Sequence, residues 1–415
     1  MVDCVPEFGL EVYFAQHEFT AKYLLCCSDA ETFSVNHILS FADDETRELW
    51  STLTCGYTEA PGNPLLRSEI VKQFYSNEVV EGEDATNMSM GIGDINIDEN
   101  LLCFAGAEEA IYATMRALLT DDDHVVVITP AYQSLLSIAS VAVHNEERNG
   151  EGITTLDLEV LEGRWTIDMQ KLRDAVQPGK TKMIIMNFPH NPTGALLTAE
   201  EQAEVACICL QHDIWVFSDE VYCGLELSEA RRLPPMCSLY PRALSLGVMS
   251  KSFGLAGLRI GWLCSQDTHA LAKIAKYKHY LSICNSAPSE ILSLIALRAK
   301  ESLLERNNSL IAENMSHLEL FFNGKWGQYF DWVAPEGGCI GFMRFKGSEN
   351  NFITLVELAD RLVNEFGVLI LPGHYFPAHD PKQFVSHFRF GFGRRNFIEC
   401  LHQFEAALEQ ILGSG

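Results

Sequence analysis

The strongest constraint on this chain is a regular alternation between residues 100 and 265, in which short apolar runs are separated by stretches with helical spacing. LLCFAG (101–106) precedes AEEAIYATMRALL (107–119), where Ala110, Ile111, Met115 and Leu118 share one helical face. HVVVI (124–128), MIIMNF (183–188), IWVFSDE (214–220), LSLGVMS (244–250) and IGWLCS (260–265) repeat the strand signal. Thr198 and Glu201 have capping-box spacing and open a helix predicted to run through Leu210. Continuous apolar strands joined by helices predict an α/β fold, a mostly parallel sheet with helices on both faces in three αβα layers. Ligands of such sheets bind outside the carboxyl ends of the strands.

The segments flanking this pattern are mixed. Residues 1–50 and 301–415 are expected to form a smaller α+β domain, including an N-terminal segment that covers the substrate, beside a large domain of residues 51–300. Asn77 to Glu99 carries seven acidic residues and no basic ones, and reads as an acidic surface insertion. The whole chain has 56 acidic against 30 basic residues, a formal charge of -26. That balance argues against a nucleic-acid surface or docking on anionic lipid, both of which need clustered cations. The opening MVDCVPEFGL lacks the basic and apolar regions of an export signal, and no run approaches the ~18 apolar residues of a membrane span. Thirteen cysteines are scattered without C-x-x-C or zinc-ligand spacing, several of them (Cys207, Cys209, Cys284) in apolar helical contexts. Reduced, buried thiols, no metal and a cytoplasmic location are therefore expected.

Five segments fall at predicted strand ends: Phe104–Glu109, Asn187–Gly194, Ser218–Tyr222, Ser250–Arg259 and Phe388–Phe392. Singly each is weak, since N-P-T-G is often only a turn and lysine is usually a solvated surface residue. Together they match the needs of pyridoxal phosphate: an amine, an acid for the pyridinium nitrogen, and donors for a phosphate. Lys251 sits in Ser-Lys-Ser-Phe-Gly-Leu-Ala-Gly, unusually apolar for an exposed lysine, and desolvation there would free the amine. Asp219 ends the run IWVF, where a carboxylate is costly unless paired; otherwise it caps a loop. Gly106, Ala107 and Glu108 open a helix directly after a strand, leaving backbone N–H groups for an anion, although an ordinary turn has the same pattern. Ser250 and Arg259 would add a hydroxyl and a guanidinium. Tyr132 would stack on a ring or fill the core, and Asn191 and Tyr222 would bond a phenolic oxygen. Arg389, flanked by aromatics in HFRFGF, wants a buried anion: a substrate carboxylate or an internal partner.

The ordered set resembles the fold-type I pyridoxal-phosphate enzymes, specifically the class I/II aminotransferase family, from about Tyr57 to Arg389. The resemblance implies an aspartate-aminotransferase-like large domain and an α-amino acid substrate. It also implies roles: Lys251 as Schiff-base lysine and proton shuttle, Asp219 as pyridinium partner, Tyr222 and Asn191 on the phenolic oxygen, and Tyr132 as stacking ring. Ala107, Glu108, Ser250 and Arg259 would form the phosphate cup, and Arg389 the carboxylate clamp. Tyr57 would reach the phosphate of a neighbouring subunit, implying a homodimer with shared active sites. One departure stands out: Val248 occupies a position where many members have a phosphate-contacting serine. TPAYQSL, NFPHNPTGA, SKSFGLAGLRIGW and PEGGCIGFMRF are locally similar to the capreomycidine and enduracididine synthases, as is the segment FGLEVYFAQHEF. Those enzymes use this fold for elimination and ring closure. In that light Glu11 would face a cationic side chain, as would His17 and Asp29 with less support. Transamination is the leading expectation and lyase or cyclase chemistry on an arginine-like substrate the alternative. A catalytically silent relative would lack Lys251 or Asp219, and both are present.

Overall fold

The computed structural model describes residues 5–76, 95–145, 152–347 and 353–413. Seven strands form the main sheet: β1 (Leu101–Phe104), β2 (His124–Thr129), β3 (Ile153–Asp157), β4 (Thr181–Asn187), β5 (Trp215–Asp219), β6 (Ala243–Val248) and β7 (Gly261–Cys264). Their spatial order is β1-β7-β6-β5-β4-β2-β3. Every neighbouring pair is parallel except those of β7, which runs antiparallel to both β1 and β6.

Both faces of this sheet are covered, which explains why the strands read as unbroken apolar runs. All residues of β1, β2, β5, β6 and β7 are buried. Successive side chains alternate between two cores, as the pleat requires. Val125, Val127, Met183 and Ile185 enter one core with Ala110 and Met115 of the helix Ala107–Leu118. Val126, Ile128, Ile184 and Met186 enter the other with Val205 and Ile208 of the helix Ala199–His212. The latter helix opens on the expected capping box of Thr198 and Glu201.

A second, antiparallel sheet contains β8 (Phe330–Trp332), β9 (Ile340–Phe345), β10 (Leu371–Pro372) and β11 (His387–Gly391), in the order β8-β9-β11-β10. Tyr23–Leu24 pairs in parallel with Val368–Leu369, so the two ends of the chain meet. The helices Val35–Ser40 and Asp44–Ser51 pack instead on the helix Ala287–Arg298. Cys284 lies in the loop before that helix, not inside a helix as its context suggested. The acidic stretch lies outside the described residues from 77 to 94, and residues 95–99 form a largely exposed turn. Among the described residues no helix is long and apolar enough to cross a membrane.

Candidate active site

Strand register gathers the segments at one edge of the main sheet. β4 and β5 end level, with Asn187 opposite Asp219. β6 ends just before Ser250 and Lys251. Phe104 at the end of β1 lies opposite Gly261 at the start of β7, which returns Arg259 to the edge occupied by Gly106. A cavity of about 410 Å³ opens there, and Asn191, Asp219, Tyr222, Ser250, Lys251 and Arg259 line it. Ala107, Glu108, Tyr132 and Glu11 complete its wall on the other side.

Asp219 is buried at the floor of the cavity. Its carboxylate accepts the Val221 N–H at 3.2 Å. Burial pushes its pKa up to about 7, an effect that the Val221 N–H and Lys251 oppose but do not cancel. Lys251 is partly buried and donates from Nζ to Ser28 Oγ at 3.0 Å. Desolvation lowers the pKa of this amine; Asp29 opposes that effect and Arg389 reinforces it. Tyr222 is buried, and its hydroxyl has no partner at hydrogen-bonding geometry among the described residues. Desolvation raises its pKa.

The turn after β4 aims Asn191. Its N–H donates to Asn187 Oδ1 at 2.8 Å, and its own Oδ1 accepts from Arg389 Nη1 at 3.1 Å. Arg389, on β11, is 1% exposed and also donates from Nη2 to the Cys26 carbonyl at 2.8 Å. Its Nε is buried without a partner among the described residues. The rings of Phe14 and Phe376 flank it at 6.0 and 5.6 Å. No carboxylate of the described residues pairs with it, so this cation is held ready for an outside anion.

Opposite, Gly106 caps the helix Ala107–Leu118 with φ 91°, and among the described residues the helix start has no side-chain cap bond. A Cβ at Gly106 would stand 2.3 Å from Arg259 Nη2, so the glycine is what lets the guanidinium lie against the helix start. Ser250 adds a buried hydroxyl group beside them, while Val248 contributes only apolar surface. Glu108 differs from the expectation in one respect. Its carboxyl group is buried near Ser134 and Tyr132, which lower its pKa against the larger upward effect of burial, and Oε1 has no partner. A carboxylate repels a phosphate, so only the N–H of Glu108 suits an anion.

Tyr132 donates to Glu11 Oε1 at 3.3 Å, and its ring packs on Phe8 at 5.4 Å. Two weaker expectations are corrected. Asp29 is already bound by Arg394 Nη2 at 2.7 and 2.8 Å, and His17 packs on the Tyr13 ring at 5.0 Å outside the cavity. Tyr57 is 90% exposed and does not line this chain's cavity. Ser28, the hydroxyl partner of Lys251, escaped sequence reasoning because a serine in an irregular loop carries no periodic signal.

Comparison with known proteins identifies the family and the fold. The family model "Aminotransferase class I and II" matches residues 54–396. Capreomycidine synthase of Streptomyces vinaceus is 29% identical over 275 residues, covering 66% of this chain and 67% of that protein. A probable N-succinyldiaminopimelate aminotransferase of Mycobacterium tuberculosis is 30% identical over 289 residues, covering 67% of each. A pyridoxal-phosphate-dependent aminotransferase from Streptococcus suis has the same fold, with TM-score 0.83, 22% identity and 98% of both chains covered. The chain belongs to the class I and II aminotransferase family, and pyridoxal phosphate is its cofactor.

The residues present fit that group. The orphaned Tyr222 hydroxyl, the buried Asp219 carboxyl, the uncapped helix start with Arg259 and the desolvated Lys251 supply a donor set of the right chemistry. The bound cofactor supplies a cationic ring that accepts the electrons released at the substrate carbon.

Proposed function

We propose that the protein is an aminotransferase acting on an α-amino acid, with Lys251 as the base that removes the Cα proton. The large cofactor-binding unit would span residues 51–300 and the smaller unit 1–50 and 301–415. Ala107 N–H, Glu108 N–H, Ser250 and Arg259 hold the phosphate, Asp219 holds the ring cationic, Tyr222 and Asn191 meet its phenolic oxygen, and Tyr132 stacks on it. The substrate carboxylate binds Arg389, which fixes the Cα–H bond toward Lys251. Burial keeps a larger share of that amine neutral than in an exposed lysine, as a base requires. Tyr57 serves the neighbouring subunit of a cytoplasmic homodimer. The observation that carries this reading is the buried Arg389, bonded to Asn191 and without a carboxylate partner among the described residues.

Where the proton on Lys251 goes next decides the reaction class. Transamination would need Lys251 to carry that proton from the substrate carbon to the bound cofactor. Loss of a side-chain leaving group gives a lyase or cyclase, and fold alone does not choose between them. The second reading, cyclisation of an arginine-like amino acid, is favoured by Glu11 at the cavity wall beside Tyr132 and by the likeness to capreomycidine synthase. The test is a panel of amino acids, including arginine and its hydroxylated forms, with mass readout of products. A keto acid is the expected product. A product that keeps its α-amine while losing water selects the second reading, and no turnover of any α-amino acid overturns both.

A further inference from the structure

A second buried lysine lies outside this chemistry. Lys278 is 1% exposed, at the end of the helix Thr268–Lys278, and its Nζ lies 3.6 Å from Glu109 Oε2. The amine also donates to Ser282 Oγ at 2.8 Å and Asn285 Oδ1 at 3.2 Å. Glu109 in turn accepts two backbone N–H groups, one from its own turn and one from a distant part of the chain. Oε2 takes Ala105 N–H at 2.6 Å, in the turn that leads into Gly106, and Oε1 takes Ser282 N–H at 3.0 Å.

The network continues to a third segment. Asn285 donates to Glu290 Oε1 at 3.0 Å, and the same oxygen accepts Asn63 N–H at 3.1 Å. Thr58 Oγ1 donates to the Asn285 carbonyl at 3.0 Å. One set of buried and part-buried bonds therefore ties the cup turn to the loop after residue 278 and to the segment beside Tyr57. That loop carries exposed apolar side chains: Tyr280 is 92% exposed, as Tyr57 is at 90%, while Ile283 is 51% and Leu281 42% exposed. Ile283 also holds a left-handed backbone conformation, φ 65°, which a β-branched residue adopts only when its surroundings impose it.

Taking two charges out of water is costly, and a buried pair persists where it fixes one arrangement. We infer that the Glu109–Lys278 pair joins the cup turn to the 278–285 loop, so that anion binding at Gly106–Glu108 is transmitted to that loop and its exposed Tyr280. The inference rests on the reading of Gly106–Glu108 as the phosphate end of the site. Glu109 and Lys278 are positioning residues, since neither lines the cofactor cavity.

Hydrogen exchange at fixed protein concentration, with and without pyridoxal phosphate, tests it. The wild type is expected to show slowing of about fivefold or more in both the 104–110 and 278–286 peptides, the size of a modest local stabilisation. Lys278→Met alone leaves a buried carboxylate and is expected to compromise folding, so Glu109→Gln/Lys278→Met, which removes both charges, is the informative variant. It should keep protection of 104–110 and lose that of 278–286. Equal protection of both peptides in wild type and double variant, or a 278–286 peptide that never responds, overturns the coupling. Absence of any slowing at 104–110 in wild type overturns instead the placement of the phosphate.

Discussion

Lys251 and Lys278 are both withdrawn from water, and in both desolvation is the main cause of a lowered pKa. Their surroundings differ. Lys278 is saturated by a carboxylate, a hydroxyl and an amide oxygen. Lys251 makes its hydrogen bond to Ser28, beside a cavity and facing the cation Arg389. Burial alone thus does not make an amine reactive. What separates the two is unsatisfied bonding capacity next to open volume, so one lysine is structural and the other is available for chemistry.

The widest separation between the two lysines should come from deletion. Lys251→Ala is expected to lower turnover by about 10⁴-fold or more and abolish the visible absorbance of cofactor-loaded protein, with little change in Tm. Lys278→Met should act on stability instead, with a loss of about 3–5 kcal/mol read by denaturant unfolding and much of it restored in the double variant, which keeps the visible absorbance. Equal catalytic losses in the two would break the comparison.

Asp219 sharpens the account through pH. Its pKa rises on folding from 3.8 to about 7. The ligand-free fold therefore holds a proton that the unfolded chain has released, and stability falls as pH rises between those values, then levels off. The penalty is at most on the order of 4 kcal/mol above pH 7. Asp219→Asn should raise the Tm of ligand-free protein at pH 8 while cutting turnover of the loaded enzyme by about 10²-fold or more. A destabilised ligand-free variant would contradict the buried, unpaired carboxyl. A smaller effect is expected from Arg389→Ala, a KM increase of about 10²-fold for any α-carboxylate substrate, consistent with a lost charge-assisted pair. The smallest belongs to Tyr132→Phe, which removes the bond to Glu11 and should change KM by about threefold to tenfold, more for substrates with a cationic side chain.

Much of this was legible because chemistry falls where apolar runs stop. Asp219, Asn191, Lys251 and Gly106 each follow a strand whose continuity marks a sheet buried on both faces. Arg389 stood out through its aromatic neighbours. Side-chain direction was less legible: the helix start at Glu108 announces a free N–H, but not that its carboxyl turns toward Ser134. Lys278 was invisible for another reason. In AKIAKYKH it reads as a solvated basic face, and the Glu109 that neutralises it lies far away in the sequence, with the bond to Ser282 spanning 173 positions. Such pairings leave no local signature, since folding over β1 and the Phe104 ring buries the amine. Ser28 was missed in the same way, 223 positions from Lys251.

The most direct test is reductive trapping. Protein loaded with pyridoxal phosphate is reduced with borohydride, digested and read by mass spectrometry. The account predicts the cofactor mass on the peptide containing Lys251, and none on Lys278. A label on Lys278, or a cofactor that leaves Lys251 unmodified, would contradict it.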